Sequence, residues 1–162
     1  MIRANRLPEN RWKDYKKIRL EALRAEPAAF GSSYEEELEL SEEEWRKRMK
    51  NVLFAVEARV PVGMMSYVFN TRLKTSHIAS IYGVYVTPKY RGRGIGGKLM
   101  DAVMEEIKGK GGIIKVQLSV NPGCRPAVRL YKRVGFIVTG RARKELKIGN
   151  RFYDLLYMEK ML

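Results

Sequence analysis

The chain has 162 residues, 45% of them apolar and 31% charged, so it can fill one packed core and is short for two domains. We expect a single domain over residues 1–162. No apolar stretch approaches the roughly 20 residues of a membrane-spanning helix. Arg3 and Arg6 lie where a signal peptide would have its apolar centre. A cytoplasmic protein is predicted. One cysteine, Cys124, and one histidine, His77, make neither an internal disulfide nor a recognisable metal site.

The charge is strongly basic and unevenly spread. Lys and Arg number 32 against 18 Asp and Glu, which leaves a net charge of +14. Such a body attracts polyanions, such as nucleic acid, an anionic lipid surface or a phosphate-rich cofactor. Seven of the acids lie in residues 35–44, a window without Lys or Arg. This window would favour a cation, although Ser41 followed by Glu44 also fits a capping box at the start of a solvated helix.

Hydrophobic periodicity predicts the elements in chain order. An amphipathic helix is predicted over residues 10–25, ended before Pro27, and a second helix begins at Ser41. Runs rich in β-branched and aromatic residues predict strands, and helical spacing returns twice between them. The later predicted elements are strands at 52–58, 62–69 and 78–86, a helix at 94–108, a strand at 113–120, a helix at 125–134, and strands at 136–140 and 152–158. Crossover helices make neighbouring strands parallel and hairpins make them antiparallel, so a mixed sheet with helices on its faces is predicted.

The most informative segment lies between the strand at 78–86 and the helix at 94–108. It contains four glycines and four cations: Gly92, Gly94, Gly96, Gly97, Lys89, Arg91, Arg93 and Lys98. The first N–H groups of a helix lack partners and lie at the positive end of its dipole, while glycines let the backbone approach a ligand closely. The segment therefore predicts a diphosphate site. Its spacing is neither that of a P-loop nor that of the dinucleotide fingerprint.

Two motifs carry a resemblance to a known family. Residues 91–96 read Arg-x-x-Gly-x-Gly after a strand that ends in Val-Thr-Pro, and residues 127–136 read Ala-x-x-Leu-Tyr-x-x-x-Gly-Phe. The chain thus resembles the GNAT superfamily of acetyl-coenzyme A dependent N-acetyltransferases. The order of the other elements, including the Leu-Arg-x-x-Pro-x-x-Phe pattern of residues 23–30, matches as well, so the resemblance covers essentially the whole chain.

The resemblance implies a fold and a cofactor. The implied fold is α/β (α+β), with a mixed, largely antiparallel central sheet of six to seven strands flanked by about four helices. Acetyl-CoA is the implied co-substrate, with main-chain amides around residues 93–97 on its diphosphate and the strand at Val84 and Val86 along its pantetheine arm. The implied cofactor-binding residues are Val84, Val86, Arg91, Gly92, Arg93, Gly94, Ile95, Gly96, Gly97, Lys98, Asn121, Cys124 and Tyr131.

Two catalytic roles follow from the same resemblance. The backbone N–H of Val84 would polarise the thioester carbonyl, because a fixed donor suits a developing oxyanion. Tyr131 would act as general acid toward the departing sulfur. Without the resemblance, Tyr131 would be interpreted as a core aromatic on an amphipathic helix.

The sequence departs from the family pattern at two positions. Cys124 stands where many relatives carry an asparagine that contacts pantetheine, and Asn121 is a candidate to replace it. Ser80 stands where many relatives carry a glutamate base, and a serine cannot take that role. The base is left open among Glu57, His77, Tyr82 and ordered water.

The acceptor and the partners are predicted more coarsely. A primary amine is expected, and the acidic residues 35–44 raise the hypothesis of a polycationic one. A homodimer is a further expectation from the family, while neither nucleic acid nor a membrane is expected as a partner. Two alternatives stay open, namely a basic nucleic-acid-binding module and a GNAT fold that binds coenzyme A without catalysis.

Overall fold

The sheet joins all seven strands of the chain. The computed structural model describes residues 1–162, with the strands in the spatial order β1-β2-β3-β4-β5-β7-β6. Every neighbouring pair is antiparallel except β4 and β5, which are parallel because a helix crosses over between them. The strands are β1 (Arg3–Asn5), β2 (Val52–Glu57), β3 (Val60–Phe69), β4 (Ile78–Val86), β5 (Lys115–Val120), β6 (Ile137–Ile148) and β7 (Arg151–Met161). The predicted mixed, largely antiparallel sheet is confirmed.

Five helices cover the two faces of the sheet. They are α1 (Trp12–Ala25), α2 (Tyr34–Leu38), α3 (Glu42–Arg48), α4 (Ile95–Gly109) and α5 (Arg125–Val134). Residues of α1 and α3 share one buried cluster with β2 and β3, whereas residues of α4 and α5 lie in a second cluster on the other face. No helix combines the length and the apolar character needed to cross a bilayer.

Regular spacing of apolar residues explains why the helices bury the faces they do. In α4 the side chains of Leu99, Val103 and Ile107 are fully buried, which is the three-to-four-residue period of one helix face. In α1 the buried side chains follow the same period, and Tyr15 packs edge-on against Trp45 of α3 at a centroid distance of 5.3 Å. The two clusters hold the sheet between them.

The structure corrects the predicted elements in three places. β1 is a three-residue edge strand that apolar periodicity did not indicate, and α2 begins at Tyr34 and continues into the acidic window, where no helix was predicted before Ser41. The strand predicted to end at Gly140 was wrong, because β6 continues to Ile148 and forms a long ribbon with β7. The alternation of half-buried apolar residues in this extension, at Ala142, Leu146 and Ile148, is interrupted by Lys144, which has a φ of +53° at a register shift, so the strand signal in the sequence is weak.

The pairing between β4 and β5 covers only the first residues of each strand. Residues 78–80 pair with residues 115–117, and beyond Ser80 and Gln117 the two strands no longer pair with each other. The resulting wedge lies between residues 81–86 of β4 and residues 118–120 of β5. On its other side β4 has a bulge against β3, where Gly83 takes the left-handed φ of +61°. The wedge opens toward the first turns of α4 and α5, because each of these helices follows one of the two strands.

The packing of α4 on the sheet generates a stability prediction. Leu99 is fully buried, whereas Leu73 is 91% exposed, so the two leucines form a matched pair. We expect Leu99→Ala to lower the free energy of unfolding by about 2–5 kcal/mol, because the cavity cannot close completely. Leu73→Ala should change it by less than about 0.5 kcal/mol. Urea denaturation measures both, and equal losses would contradict the described core.

Candidate active site

Six consecutive main-chain N–H groups at the start of α4 have no partner in the protein. The amide of Arg91 bonds the carbonyl of Pro88, and the amide of Lys98 bonds that of Gly94, but residues 92–97 between them donate to no protein acceptor. Gly92 and Gly94 have φ values of +76° and +74°, which turn the chain so that successive amides surround one concavity. The loop is therefore a ready site for an anion.

The glycines at the start of α4 differ in what surrounds them. A β-carbon on Gly96 would lie 3.2 Å from Cδ2 of Leu130, so glycine lets α4 approach α5 closely. A β-carbon on Gly97 would meet nothing within 4 Å, and the same holds at Gly92 and Gly94. The loop is therefore uncrowded at these three glycines, and unpartnered amides in an uncrowded loop suit a pair of linked phosphates.

Not all of the predicted cations are free to contact an anion bound at this loop. The side chain of Arg91 donates from Nε to the carbonyl of Val86 at 2.8 Å, and its Nη1 lies 2.9 Å from a carboxylate oxygen of Glu26. Arg93 is 3.9 Å from Glu57 and mostly exposed, and Lys98 is exposed without an ion pair. Arg91 thus braces the loop, while Arg93 and Lys98 remain available for phosphate oxygens.

The predicted strand residues lie at the wedge. Val84 follows Gly83 in the bulge of β4 and is half-buried, and β5 offers it no pairing partner. Val86 lies opposite Gly63 of β3, and its carbonyl already accepts the hydrogen bond from Arg91. This stretch of backbone can therefore receive an extended ligand on the side that β5 leaves vacant.

Tyr131 lies on α5 and is 4% exposed. Its hydroxyl forms no hydrogen bond in the protein, and the only fully buried side-chain polar atom without a partner is Nε1 of Trp45. The hydroxyl of Tyr131 must therefore reach solvent-accessible space. Burial raises the pKa of this phenol above its ordinary value, with the nearby Cys124 adding to the shift, so Tyr131 carries its proton at neutral pH.

The comparison with protein families agrees with this geometry. The model of the acetyltransferase (GNAT) family matches residues 13–136, which include α4, the wedge and α5. The chain belongs to the GNAT family. It is an acyltransferase, and acetyl-CoA is its co-substrate.

Similar proteins extend over the whole chain. An L-amino acid N-acetyltransferase of Escherichia coli is 24% identical over 155 residues, which cover 92% of this chain and 93% of the relative. A GNAT acetyltransferase of Streptococcus pneumoniae has the same fold with a TM-score of 0.88, 19% identity and full coverage of both chains. An acetyltransferase of Salmonella typhimurium solved with acetyl-CoA has a TM-score of 0.81 at 19% identity, and covers 100% of this chain and 94% of its own.

Asn121 and Cys124 lie in the loop before α5. Cys124 occupies the position at which many family members carry an asparagine, and Asn121 is the candidate to replace it. Oδ1 of Asn121 accepts from the amide of Gly123 at 2.7 Å, and its Nδ2 donates to the carbonyl of Ala28 at 3.4 Å. The side chain of Asn121 thus ties this loop to the segment after α1. Burial raises the pKa of the Cys124 thiol, Glu26 raises it further and Arg91 opposes the shift, so the thiol stays protonated.

Three residues were candidates for the base, and the structure places them, and Ser80 at the position of the family's glutamate, in different surroundings. His77 precedes β4 and is seven residues from Val84, which at about 3.3 Å per residue is roughly 20 Å. Ser80 accepts a hydrogen bond from Gln117 where the strands still pair. Glu57 lies beside Arg93 of the loop. Tyr82 borders the wedge, but burial raises the pKa of its phenol. The phenol is therefore protonated at neutral pH and cannot accept the proton of the amine.

The acidic window has structural roles that the sequence predicted in part. The predicted capping box of Ser41 and Glu44 is confirmed, and Ser33 and Glu36 form a second one. Glu37 is buried, and Glu42 pairs with Arg46. Four of the seven acids are therefore engaged within the protein. The other three, Glu35, Glu39 and Glu43, are exposed.

A buried ion cluster beside the wedge was missed by the sequence interpretation. Arg19 of α1 donates from Nε and Nη2 to the two carboxylate oxygens of Glu37, both at 2.8 Å, and Arg48 approaches the same carboxylate at 3.0 Å. Arg19 is 7% exposed and lies one residue from Ile18 on the buried face of α1. An arginine at a core-facing helical position was the available signal, because an arginine is almost never buried without a partner.

The loop before α4 generates a binding prediction. Gly94→Ala places a β-carbon on a residue with φ of +74°, which costs about 1–2 kcal/mol in the native loop. We expect the affinity for coenzyme A to fall about tenfold, as measured by titration calorimetry. Gly109→Ala, at the last position of the same helix and without a positive φ, should leave the affinity unchanged. Equal affinities for both variants would argue against this loop as the binding site.

The ion cluster generates a pH prediction. Burial alone would raise the pKa of Glu37, but the hydrogen bonds and charges of Arg19 and Arg48 outweigh it and lower that pKa. The ionised carboxylate of Glu37 therefore stabilises the folded protein fully above the ordinary glutamate pKa. This stabilisation is lost as the pH falls through the lowered pKa of Glu37. We expect Glu37→Gln to cost about 3 kcal/mol at pH 7 and clearly less at pH 3. Thermal unfolding at the two pH values measures this, and a pH-independent difference would contradict it.

Proposed function

We propose that the chain transfers the acetyl group of acetyl-CoA to a primary amine by direct attack within a ternary complex. The observation that carries the proposal is the run of unpartnered amides at residues 92–97, at the mouth of the wedge. The amides suit the diphosphate, and the vacant side of β4 leads from them into the sheet. A phosphate-bearing arm that ends in a thioester fits this path.

The coenzyme would be held by backbone more than by side chains. The amides of residues 92–97 would bind the diphosphate, with Arg93 and Lys98 adding charge. The backbone at Val84 and Val86 would align the pantetheine arm. Arg91 would contribute by holding the carbonyl of Val86 and the carboxylate of Glu26, so its role is to shape the loop.

Acetyl-CoA supplies an acetyl group activated as a thioester. The backbone N–H of Val84 would donate to the carbonyl oxygen, where negative charge develops as the C–N bond forms. Tyr131 would donate its phenolic proton to the sulfur as the C–S bond breaks, and it would regain a proton from solvent. Because the pKa of Tyr131 is raised, its phenol is protonated at neutral pH, as a general acid must be before the C–S bond breaks.

The amine must lose a proton before or during attack. An alkylamine with a pKa near ~10.4 is neutral in only about one molecule in 10³ at pH 7. None of Glu57, His77, Ser80 and Tyr82 combines a free basic group with a place at the bulge. We therefore assign the proton to ordered water in the wedge. A desolvated site disfavours the charged ammonium form, so it lowers the pKa of the amine and the free energy needed to remove the proton.

The Escherichia coli relative and the acidic window both bear on which amine is the acceptor. The relative of Escherichia coli acts on L-amino acids, which favours a small amine over a protein. The hypothesis of a polycationic acceptor loses part of its basis, because four of the seven acids in residues 35–44 are engaged within the protein. A cytoplasmic location and a homodimer stay predictions.

A panel assay separates this function from its alternatives. Thiol release from acetyl-CoA is measured across amino acids, polyamines and basic peptides, and thermal shift is measured with coenzyme A and with RNA. We expect stabilisation by coenzyme A and thiol release with at least one amine class. Stabilisation by coenzyme A without thiol release would favour a silent coenzyme-binding protein, and stabilisation by RNA alone would favour a nucleic-acid-binding module.

The role of Tyr131 generates its own prediction. Tyr131→Phe removes the phenolic proton and keeps the ring that packs near Phe136. We expect kcat to fall about 100-fold with little change in coenzyme affinity, since a general acid contributes at least that much. Tyr153→Phe, in the ribbon of β6 and β7, serves as control and should keep full activity. An unchanged kcat for Tyr131→Phe would remove this residue from the mechanism.

A further inference from the structure

A buried guanidinium faces the bulge of β4 with one nitrogen free. We propose that Nη1 of Arg19 and Oγ of Ser66 form a subsite for a carboxylate on the acceptor, so that the amine substrate is an α-amino acid or a similarly small amino carboxylate. This inference rests on the proposed acetyl transfer and specifies its acceptor. It assigns a role to residues on α1 and β3 that neither GNAT motif contains.

Nη1 of Arg19 and Oγ of Ser66 both lack a hydrogen-bond partner and remain accessible to solvent. Nε and Nη2 of Arg19 are used by Glu37, whereas Nη1 has no hydrogen-bond partner. Ser66 is 2% exposed, and its hydroxyl likewise has no partner in the protein. Since Nε1 of Trp45 is the only fully buried side-chain polar atom without a partner, both atoms must touch solvent-accessible space. Two otherwise buried polar groups thus each keep one unpartnered atom that solvent can reach.

Both atoms lie against Gly83 in the bulge of β4. A β-carbon built on Gly83 would be 3.2 Å from Nη1 of Arg19 and 3.1 Å from Oγ of Ser66. Gly83 precedes Val84, and consecutive Cα atoms are only about 3.8 Å apart. The two donors therefore lie within one residue of the N–H group proposed to polarise the thioester. A carboxylate bound there would place an α-amine next to the reacting carbonyl.

The ion cluster of Arg19, Arg48 and Glu37 carries an unbalanced positive charge. Two guanidinium groups, of Arg19 and Arg48, share the single carboxylate of Glu37, so the cluster has a net charge of +1. The side chain of Arg48 is 40% exposed and is solvated, but that of Arg19 is only 8% exposed. A buried charge with an unused donor costs free energy until an acceptor arrives. A substrate carboxylate would supply this acceptor and balance the charge.

Glu37 fixes the geometry of Arg19. The two-point contact with the carboxylate holds the guanidinium plane, and the ring of Phe30 lies 4.9 Å from its Cζ. A donor held in place before the substrate arrives loses little conformational freedom on binding. The positive cluster also disfavours a polycationic acceptor at this position, since like charges would be brought together.

The experiment compares matched amines with the unmodified protein. The twenty L-amino acids and their α-carboxamides are offered with acetyl-CoA, so that each pair shares an amine and a side chain. We expect kcat/KM for the preferred amino acid to exceed that of its amide at least tenfold, because the amide leaves the charge of Arg19 unbalanced. Equal or faster acetylation of amides, or of polyamines, would overturn the subsite and leave acetyl transfer intact. Absence of thiol release with every amine would instead refute the proposed function.

Two variants locate the effect. Arg19→Lys retains the charge but cannot hold Glu37 at two points and present a third nitrogen. Ser66→Ala removes only the hydroxyl and leaves the ion cluster untouched, so it tests the subsite even where Arg19→Lys fails to fold. For each variant we expect KM for the amino acid to rise about tenfold, with coenzyme affinity and amide acetylation unchanged. Ser76→Ala, in the loop before β4, serves as the control.

The split between KM values decides between substrate binding and a structural role. A loss confined to the amino acid supports the carboxylate subsite. An equal loss on amino acid and amide, or no loss in Ser66→Ala, contradicts it, because the ion cluster would then only join α1 to α2.

Discussion

Unpaired backbone amides are costly unless water or a ligand satisfies them, and this protein concentrates six of them at residues 92–97. Gly92 and Gly94 turn the chain there with positive φ values, and the first turn of α4 adds its own unpaired donors. The fold keeps this arrangement rigid by anchoring α4 through Leu99 and its neighbours in the larger core cluster. A stable helix thus presents a loop that an anion can complete, and the rest of the site is arranged around it.

The separation of β4 from β5 links the coenzyme side to the amine side. Because pairing stops at Ser80 and Gln117, the backbone of β4 around Val84 is left for a ligand. The bulge at Gly83 belongs to the same strand and meets Arg19 and Ser66 on the α1 face. We therefore propose one strand segment that aligns the coenzyme arm along its edge and the acceptor against its face. In this account Tyr131 completes the site from α5.

Patterns local in sequence could be predicted, and contacts between distant segments could not. The glycine-rich turn, the capping box of Ser41 and the helix that carries Tyr131 follow from residue spacing, because each depends on neighbours within a few positions. The bidentate pair of Arg19 and Glu37 joins two helices and needs the tertiary fold to exist. In the extension of β6, Lys144 and a register shift interrupt the alternation of Ala142, Leu146 and Ile148, so hydrophobic periodicity is a weak signal there. A single glycine within β4, Gly83, was the one local sign of the bulge.

The central claim is that the amides of residues 92–97 hold the diphosphate of coenzyme A. Amide hydrogen exchange with and without coenzyme A tests it most directly, since it reports on each N–H group without any substitution. The account predicts that exchange at these residues slows strongly on binding, together with exchange along residues 81–86 of β4. Slowed exchange elsewhere, with residues 92–97 unchanged, would contradict it.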